Sequence, residues 1–308
     1  KSEIPIELLP DVAWCEAVIR RHSGSFYRSF KRLPPGRAAA VFAVYAFCRL
    51  ADDSIDVDHD PDQLDQLASR LQEFAAGRTP DEPLWRLLRW AFTTYDLEIA
   101  PFFEMIEGQR RDITFVQPET NQDLWDYCYL VAGTVGLMIL PLLASPVTAV
   151  HRRLAIHLGQ AMQMSNILRD LAADYRLGRI YLPAHELAAR GIQSEDLGRA
   201  TPTPALKSYW LELAQGALQR YEGVKRNLVS FDTKARLPVL LALLYYSHIT
   251  LLGIKNPDIV LERRLVVPDS FKYWLYLKAQ WYVWTLRFRT EVRHAELPPY
   301  RSCRHGCP

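Results

Sequence analysis

The segment "NILRDLAADYRLGRIYLP", residues 166–183, combines a predicted helix with a pair of acids. It begins with good helix formers and is interrupted by Gly178 and then Pro183, residue types that end helices. Asp170 and Asp174 lie four residues apart within it. Because residues i and i+4 of a helix share a face, about 6 Å apart along the axis, both carboxylates are predicted to project from one side.

A second stretch, "CRLADDSIDVD" at residues 48–58, repeats this spacing with Asp52 and Asp56. Each acid pair extends a helix whose preceding turns are almost free of charge, "AVFAVYAFC" at 40–48 and "AIHLGQAMQMSNIL" at 155–168. We therefore expect two helices that are buried along their length, with acids gathered near one end. Acids at the rim of an apolar interior are costly unless a cation compensates them.

The residue types around these acids favour a magnesium ion. Asn166 adds an amide oxygen to the carboxylates, and an all-oxygen ligand set suits Mg²⁺ rather than Zn²⁺. Mg²⁺ takes its remaining ligands from water and phosphate oxygens. Arg49, Arg169 and Arg179 lie beside the acids, where they either balance charge or bind phosphate in a forked geometry. The pattern predicts a substrate with a diphosphate head and an apolar tail, a prenyl diphosphate.

Helical period dominates the rest of the chain, and strand signals are sparse. The predicted helical stretches are 36–57, 61–77, 83–97, 100–113, 121–143, 147–178, 202–229, 235–254 and 270–292. Many helices without a convincing sheet predict an all-α, single-domain protein. Residues 183–204 are predicted to form a surface excursion between two helices.

Composition narrows the function classes. The chain has 308 residues, 49% of them hydrophobic, so it can bury a sizeable core. Its net charge of only +2 argues against a nucleic-acid partner. The two most apolar runs, 129–144 and 238–254, are shorter than the roughly 20 residues that a membrane span needs. Buried core helices are therefore expected there.

The cysteines are scattered and odd in number, which is typical of reduced thiols in a cytosolic protein. The first residues lack the apolar region of a signal peptide, so a cytoplasmic location is expected. Cys303, His305 and Cys307 form a cluster that suggests a metal site. No second ligand pair accompanies them, and a disordered tail is the favoured interpretation.

Five segments together carry a resemblance to a known family. They are "HSGSFYRSFKRLP" (22–34), "VYAFCRLADDSID" (44–56), "YCYLVAGTVG" (127–136), "QMSNILRDLAADYRLGRIYLP" (163–183) and, more weakly, "LERRLVVP" (261–268). In this order they resemble the squalene/phytoene synthase family of head-to-head prenyl synthases. The resemblance implies an isoprenoid synthase helical bundle with a central active-site cavity. We expect it to span residues 1–294, followed by a tail at 295–308.

The resemblance also implies roles for individual residues. The implied Mg²⁺ ligands are Asp52, Asp56, Asn166, Asp170 and Asp174, while Asp53 is turned off the shared face and ranks below them. The implied catalytic residues are Tyr45, Arg49 and Tyr129. The implied substrate-binding residues are His22, Ser23, Ser25, Gln163, Arg169, Arg179 and a late arginine, either Arg263 or Arg264.

The family's chemistry is a condensation of two allylic diphosphates through a cyclopropylcarbinyl diphosphate of the presqualene type. Tyr129, Tyr45 or the departing diphosphate would remove the proton. If Phe26, Phe30 and Phe42 face the tail cavity they shorten it, and otherwise they are ordinary core residues. A short cavity favours farnesyl diphosphate and a thirty-carbon product, squalene or dehydrosqualene, of which only squalene requires NADPH.

Three alternatives stay open at this point. The chain could join two geranylgeranyl diphosphates to phytoene. It could perform a half-reaction that makes or consumes presqualene diphosphate. It could also be a catalytically silent, membrane-associated assembly factor, although such a relative should have lost some of the acids.

The stretch "FKYWLYLKAQWYVWTLRFR", residues 271–289, mixes Trp and Tyr with Lys and Arg. This composition suits peripheral contact with a membrane interface, where a greasy product must leave. The favoured interpretation is instead a packed terminal helix with a basic exposed side.

Overall fold

A computed structural model of the chain describes the backbone of residues 3–56 and 61–286 and the side chains of residues 3–54 and 62–286. Every regular element within these ranges is helical, and no strand occurs in them. The all-α prediction is therefore confirmed. The cluster of Cys303, His305 and Cys307 and the tail at 295–308 lie outside the described residues.

Thirteen α-helices are found within the described ranges. They are α1 (Leu9–His22), α2 (Gly24–Phe30), α3 (Pro35–Asp56), α4 (Pro61–Ala75), α5 (Pro83–Tyr95), α6 (Ala100–Ile113), α7 (Asn121–Cys128), α8 (Thr134–Ile139), α9 (Ala149–Arg176), α10 (Ala184–Ala189), α11 (Pro204–Arg226), α12 (Thr233–Lys255) and α13 (Asp269–Thr285). Helix α9 is the centre of the bundle, because α8, α11 and α12 all pack against it. Helix α3 packs against α1, α5 and α6.

Local signals set the ends of α9. Thr148 caps its start, since the Thr148 side chain accepts a hydrogen bond from the backbone of His151 at 3.3 Å. Gly178 follows its last turn with φ of 77°, a left-handed conformation that glycine adopts without a Cβ clash. The predicted end of this helix at Gly178 is therefore confirmed.

The stretch predicted as one helix over 121–143 is interrupted. A π-helical turn, Tyr129–Gly133, joins α7 to α8, and a 3₁₀ turn follows α8. The wider π turn pushes the backbone of Ala132 toward α9, where a Cβ on Gly159 would lie 2.2 Å from the Ala132 oxygen. Only glycine permits this approach, because it has no Cβ. The π turn was not predicted, because helical period alone does not signal its extra residue.

Residues 183–204 are more ordered than the predicted surface excursion. They contain α10 and a short 3₁₀ helix, Ser194–Gly198, and bury Leu187 and Leu197 against the bundle. Because both elements are only five or six residues long, the sequence shows too few turns to reveal a helical period.

Two stretches, Asn121–Leu142 and Thr233–Lys255, are long and apolar enough to cross a membrane on length and composition alone. In each, 56% of the most apolar window is buried inside the protein. The expectation that both stretches fall short of a membrane span was wrong on length, because they contain 22 and 23 residues and extend beyond the apolar runs 129–144 and 238–254. The burial of more than half of each window agrees with the expected core helices. The described cysteines, Cys15, Cys48 and Cys128, are buried free thiols.

Candidate active site

A polar cleft of about 690 Å³ lies where the C-terminal ends of α3, α6 and α9 meet. Its charged and hydrogen-bonding lining residues are Arg49, Asp52, Gln109, Asp112, Tyr127, Gln163, Asn166, Arg169, Asp170, Asp174, Arg179, Tyr181 and Arg264. The structure thus brings most of the predicted metal ligands and the predicted phosphate-binding arginines into one site. Asp56 ends α3, but its side chain lies outside the described residues.

Asp170 is clamped between two arginines. Arg169 Nε donates to Asp170 Oδ1 at 2.9 Å, and Arg264 Nε donates to the same oxygen at 2.9 Å. Burial alone would raise the pKa of Asp170, but the hydrogen bonds and charges of both arginines outweigh it and hold the pKa below 3.8. The carboxylate is therefore ionised at neutral pH. Of the two candidate late arginines, Arg264 is the one that reaches Asp170.

The end of α3 carries a second charged group. Gln109 on α6 donates a hydrogen bond to Asp52, which fixes the carboxylate at the cleft wall. Arg49 pairs with Asp53 one turn along α3, and both side chains are about three-quarters buried. This pairing turns Asp53 to Arg49, and Asp53 is not among the residues that line the cleft.

Helix α6 contributes a carboxylate that the sequence analysis did not select. Tyr127 Oη donates to Asp112 Oδ2 at 2.8 Å, and Tyr181 Oη donates to Asp112 Oδ1 at 3.5 Å. Burial, reinforced by the Asp112 charge, raises the pKa of both tyrosines, so their hydroxyls stay protonated and donate. Gln109 and Asp112 are three residues apart on α6 and therefore share a face, a signal visible in "EGQRRD".

The donor set of the cleft fits a hard divalent cation. Asp52, Asp170 and Asp174 offer carboxylate oxygens and Asn166 offers an amide oxygen, all lining the same cleft. Among the described side chains, no three acids, histidines or cysteines converge closely enough to hold an ion alone. Mg²⁺ is commonly held by one or two carboxylates and completed by substrate phosphates, so this looser arrangement suits Mg²⁺ better than Zn²⁺.

An apolar cavity of about 160 Å³ adjoins the polar cleft. Four residues line both spaces, namely Asp52, Val131, Gln163 and Asn166. The remaining wall is almost entirely apolar and includes Phe26, Phe30, Met105, Val135, Ile139, Leu143, Leu158, Met162, Phe231, Val239 and Ala242. The ring centroids of Phe26 and Phe30 are 4.4 Å apart, so the two residues act as one aromatic surface.

Two tyrosines line the apolar cavity. Tyr45 was predicted as a catalytic residue, and its ring centroid lies 5.6 Å from that of Phe26. Burial, the main cause, raises its pKa, so its hydroxyl is protonated at neutral pH. Tyr246 on α12 was missed, because it lies within a continuous apolar run. Burial raises the pKa of Tyr246, and a hydrogen bond to Ser23 partly offsets this rise.

Other predicted residues lie beside the two spaces without lining them. Tyr129 donates a hydrogen bond to Glu104, and Phe42 packs against Tyr27 at 5.8 Å between ring centroids. Arg263 lines a separate pocket of about 330 Å³, which borders the cleft through Arg169, Asp170, Asp174 and Arg264. His22, at the end of α1, and Ser25, in α2, are not among the lining residues of either space.

The chain is similar in sequence to proteins of a known family. A family model described as squalene/phytoene synthase matches residues 19–270. The chain is 33% identical over 244 residues to phytoene synthase 2, chloroplastic, of Solanum lycopersicum, covering 76% of this chain and 78% of that protein. It is 30% identical over 268 residues to 4,4′-diapophytoene synthase of Staphylococcus haemolyticus, covering 85% and 94% respectively. It spans only 59% of the chloroplastic phytoene synthase of an Oncidium hybrid, to which it is 33% identical.

Solved structures share the fold. The crystal structure of a dehydrosqualene synthase in complex with ligand has a TM-score of 0.85 and 37% identity, covering 91% of this chain and 98% of that one. The crystal structure of a squalene synthase, HpnC, from Alicyclobacillus acidocaldarius has a TM-score of 0.75 and 26% identity, covering 82% and 96%. The predicted single-domain isoprenoid synthase bundle is therefore confirmed.

Proposed function

The chain belongs to the squalene/phytoene synthase family, and we propose that it condenses two farnesyl diphosphates head to head to a thirty-carbon hydrocarbon. One observation carries this proposal. A charged cleft adjoins an apolar cavity through four shared residues, so the joined space offers a charged end to a diphosphate head and an apolar end to a hydrocarbon tail.

The arginines of the cleft bind the diphosphate head. Arg49, Arg169, Arg179 and Arg264 line it, and a planar guanidinium can hold two phosphate oxygens at once. The fitting ligands for Mg²⁺ are Asp52, Asn166, Asp170 and Asp174, with Asp56 at the end of α3. When bound there, Mg²⁺ supplies positive charge that stabilises the departing diphosphate.

The reaction that this space supports begins when the carbon–oxygen bond of one allylic diphosphate breaks. The electron pair leaves with the diphosphate, which the arginines stabilise. The double bond of the second substrate attacks the carbocation, and loss of one proton closes a cyclopropane ring. Loss of the second diphosphate, rearrangement that opens the cyclopropane ring and loss of a further proton give dehydrosqualene. NADPH, if bound, would supply a hydride in place of that proton loss and the product would be squalene.

The residues of this chain shield the carbocations from water, and the departing diphosphate removes the proton. The apolar wall excludes water, and the aromatic faces of Phe26, Phe30 and Tyr45 can stabilise positive charge. The proton acceptor is the departing diphosphate, because burial keeps the Tyr45 hydroxyl protonated. Tyr129 lies beside the cavity, where its hydroxyl donates a hydrogen bond to Glu104 and orients that carboxylate.

The proposed chain length rests on Phe26 and Phe30. They stand at the cavity wall, where their bulk leaves less room for a twenty-carbon tail than small residues would. The 37% identity to a dehydrosqualene synthase supports the same choice, and it favours a product made without NADPH. The second candidate is phytoene synthesis from two geranylgeranyl diphosphates, which the similarity to plant phytoene synthases favours.

The test is a product assay with the purified chain. Farnesyl and geranylgeranyl diphosphate are supplied separately, each with and without Mg²⁺ and with and without NADPH, and products are identified by mass spectrometry. We expect dehydrosqualene from farnesyl diphosphate, dependent on Mg²⁺ and unaffected by NADPH. Squalene with NADPH would change the product but keep the substrate.

Other results would replace the proposal. A product from the twenty-carbon substrate alone would assign phytoene synthesis. Accumulated presqualene diphosphate, or its consumption when supplied, would assign a half-reaction. If no diphosphate is released from any of these substrates, the remaining interpretation is a catalytically silent relative.

A further inference from the structure

The outward side of α13 carries large apolar side chains in water. Their exposed fractions are 65% for Tyr273, 49% for Trp274, 46% for Leu277 and 65% for Trp281. At about 100° per residue, these four positions span an arc of roughly 100° on one side of the helix. We call them the α13 outer face. The opposite side carries Leu275 and Ala279, which are buried against the bundle.

A surface helix normally places polar residues opposite its buried side, so α13 departs from the usual pattern. Each large side chain of this type has roughly 200 Å² of surface, so the outer face exposes on the order of 400–500 Å² of apolar area. Apolar patches of this size on a single chain are often functional. The expected basic exposed side is thus replaced by an aromatic one, with Lys278 at its edge.

The α13 outer face has a basic residue at its edge and no acidic residue along the helix around it. No Asp or Glu occurs between residues 270 and 286. Lys278 lies 5.0 Å from the ring of Trp274, which belongs to the face. Arg32 lies 4.0 Å from the ring of Tyr276, which is roughly 60° around the helix from the face. Asp269, which begins α13, is paired with both Arg28 and Lys272.

We infer that the α13 outer face binds the surface of an anionic phospholipid bilayer. Trp and Tyr favour the boundary between headgroups and acyl chains, and lysine and arginine beside them attract anionic headgroups. This inference does not depend on the proposed reaction.

The position of α13 relates the proposed membrane contact to the apolar cavity. Helix α12 packs against α13 and contributes Val239, Ala242 and Tyr246 to the apolar cavity. A single helix therefore separates the membrane-binding face from the space proposed for the hydrocarbon tails. A product that leaves the cavity has a short path to an apolar phase.

The test is sedimentation of the full chain with phospholipid vesicles, with and without phosphatidylglycerol in phosphatidylcholine. The variant L277Q/W281Q removes apolar area from the outer face. The matched control W14Q/V116Q removes one Trp and one aliphatic side chain that are 40% and 78% exposed elsewhere on the surface. Thermal unfolding of both variants checks that they fold, since exposed positions should change stability little.

We expect the unaltered chain to bind the anionic vesicles and to release them as salt rises from about 0.05 M to about 0.5 M. L277Q/W281Q should bind roughly tenfold or more weakly, and W14Q/V116Q should bind like the unaltered chain. Equal binding by both variants, or no binding by the unaltered chain, would overturn the inference. Self-association that only L277Q/W281Q abolishes, without vesicle binding, would assign the face to a second copy.

Discussion

The polar cleft and the apolar cavity share four residues but are built in opposite ways. The cleft holds paired charges at the ends of three helices, and several of its groups are fixed by hydrogen bonds between helices. The cavity is walled by side chains from α2, α3, α6, α8, α9 and α12, most of which are apolar. For the proposed reaction, this difference predicts that bond breaking and chain-length selection can be changed separately, one at each end of the joined space.

The largest expected effect is on the polar side. Asp170→Asn removes a negative charge that faces two arginines, and it weakens any bound Mg²⁺. We expect diphosphate release to slow by roughly 10²–10³-fold with the product unchanged, measured in steady-state assays. The control Asp62→Asn, an exposed acid on α4, should retain full activity. If Asp170→Asn keeps near-normal turnover, Asp170 has no role in the reaction.

The boundary between the two spaces depends on the close approach of α9 to the π turn. Gly159→Ala adds a methyl group where the Ala132 oxygen already lies 2.2 Å from the position of a Cβ. We expect the free energy of unfolding in urea to fall by about 2 kcal/mol or more. Gly24→Ala, which meets nothing within 4 Å, is the matched control. Equal stability of both variants would show that the helices separate without cost.

Substitutions in the apolar cavity should change which substrate is preferred rather than the rate of the reaction. Phe26→Leu enlarges the cavity, so the ratio of kcat/KM for geranylgeranyl to farnesyl diphosphate should rise about tenfold, equivalent to about 1.4 kcal/mol. Phe42→Leu removes an equally buried ring that packs on Tyr27 away from the cavity. It should leave the ratio unchanged. If Phe42→Leu shifts the ratio as much, cavity volume does not select the substrate.

The smallest effect concerns the clamp on Asp170. Its pKa lies below 3.8 in the folded chain, so its ion pairs stabilise the fold above that pH and are lost on acidification. Arg264 is 65% exposed, so Arg264→Gln should cost under about 1 kcal/mol at pH 7. The cost should decrease as the pH falls below the ordinary pKa of an aspartate and Asp170 becomes protonated. A stability difference between Arg264→Gln and the unaltered chain that stays constant on acidification, measured by urea unfolding, would contradict the ion-pair account.

The sequence predicted the cleft better than its surroundings. Asp52, Asn166, Asp170 and Asp174 are found together because i and i+4 spacing fixes the face of a helix. The π turn was not predicted, since helical period does not signal one extra residue in a turn. The close approach at Gly159 was not predicted, since its partner, Ala132, is 27 positions away in the sequence. Asp112 and Tyr246 were missed for different reasons, one lying outside the acid pairs and the other inside an apolar run.

Neither the family resemblance nor the residue spacing predicted the direction in which individual side chains point. Phe26, Phe30 and Phe42 have the same character in the sequence, yet the first two line the cavity and the third packs away from it. Arg263 and Arg264 are adjacent, and only the backbone path after α12 turns Arg264 toward Asp170. Side-chain direction in loops depends on tertiary contacts that no local pattern encodes.

The proposed reaction requires the diphosphate head to lie in the polar cleft while the tail enters the apolar cavity. A crystal structure of the chain with Mg²⁺ and farnesyl thiodiphosphate, an analogue that ionises slowly, would locate both ends of the substrate. We expect the diphosphate among Arg49, Arg169 and Arg264 with the tail against Phe26 and Phe30. A diphosphate bound in the pocket beside Arg263, or a tail lying along the outside of the bundle, would contradict it.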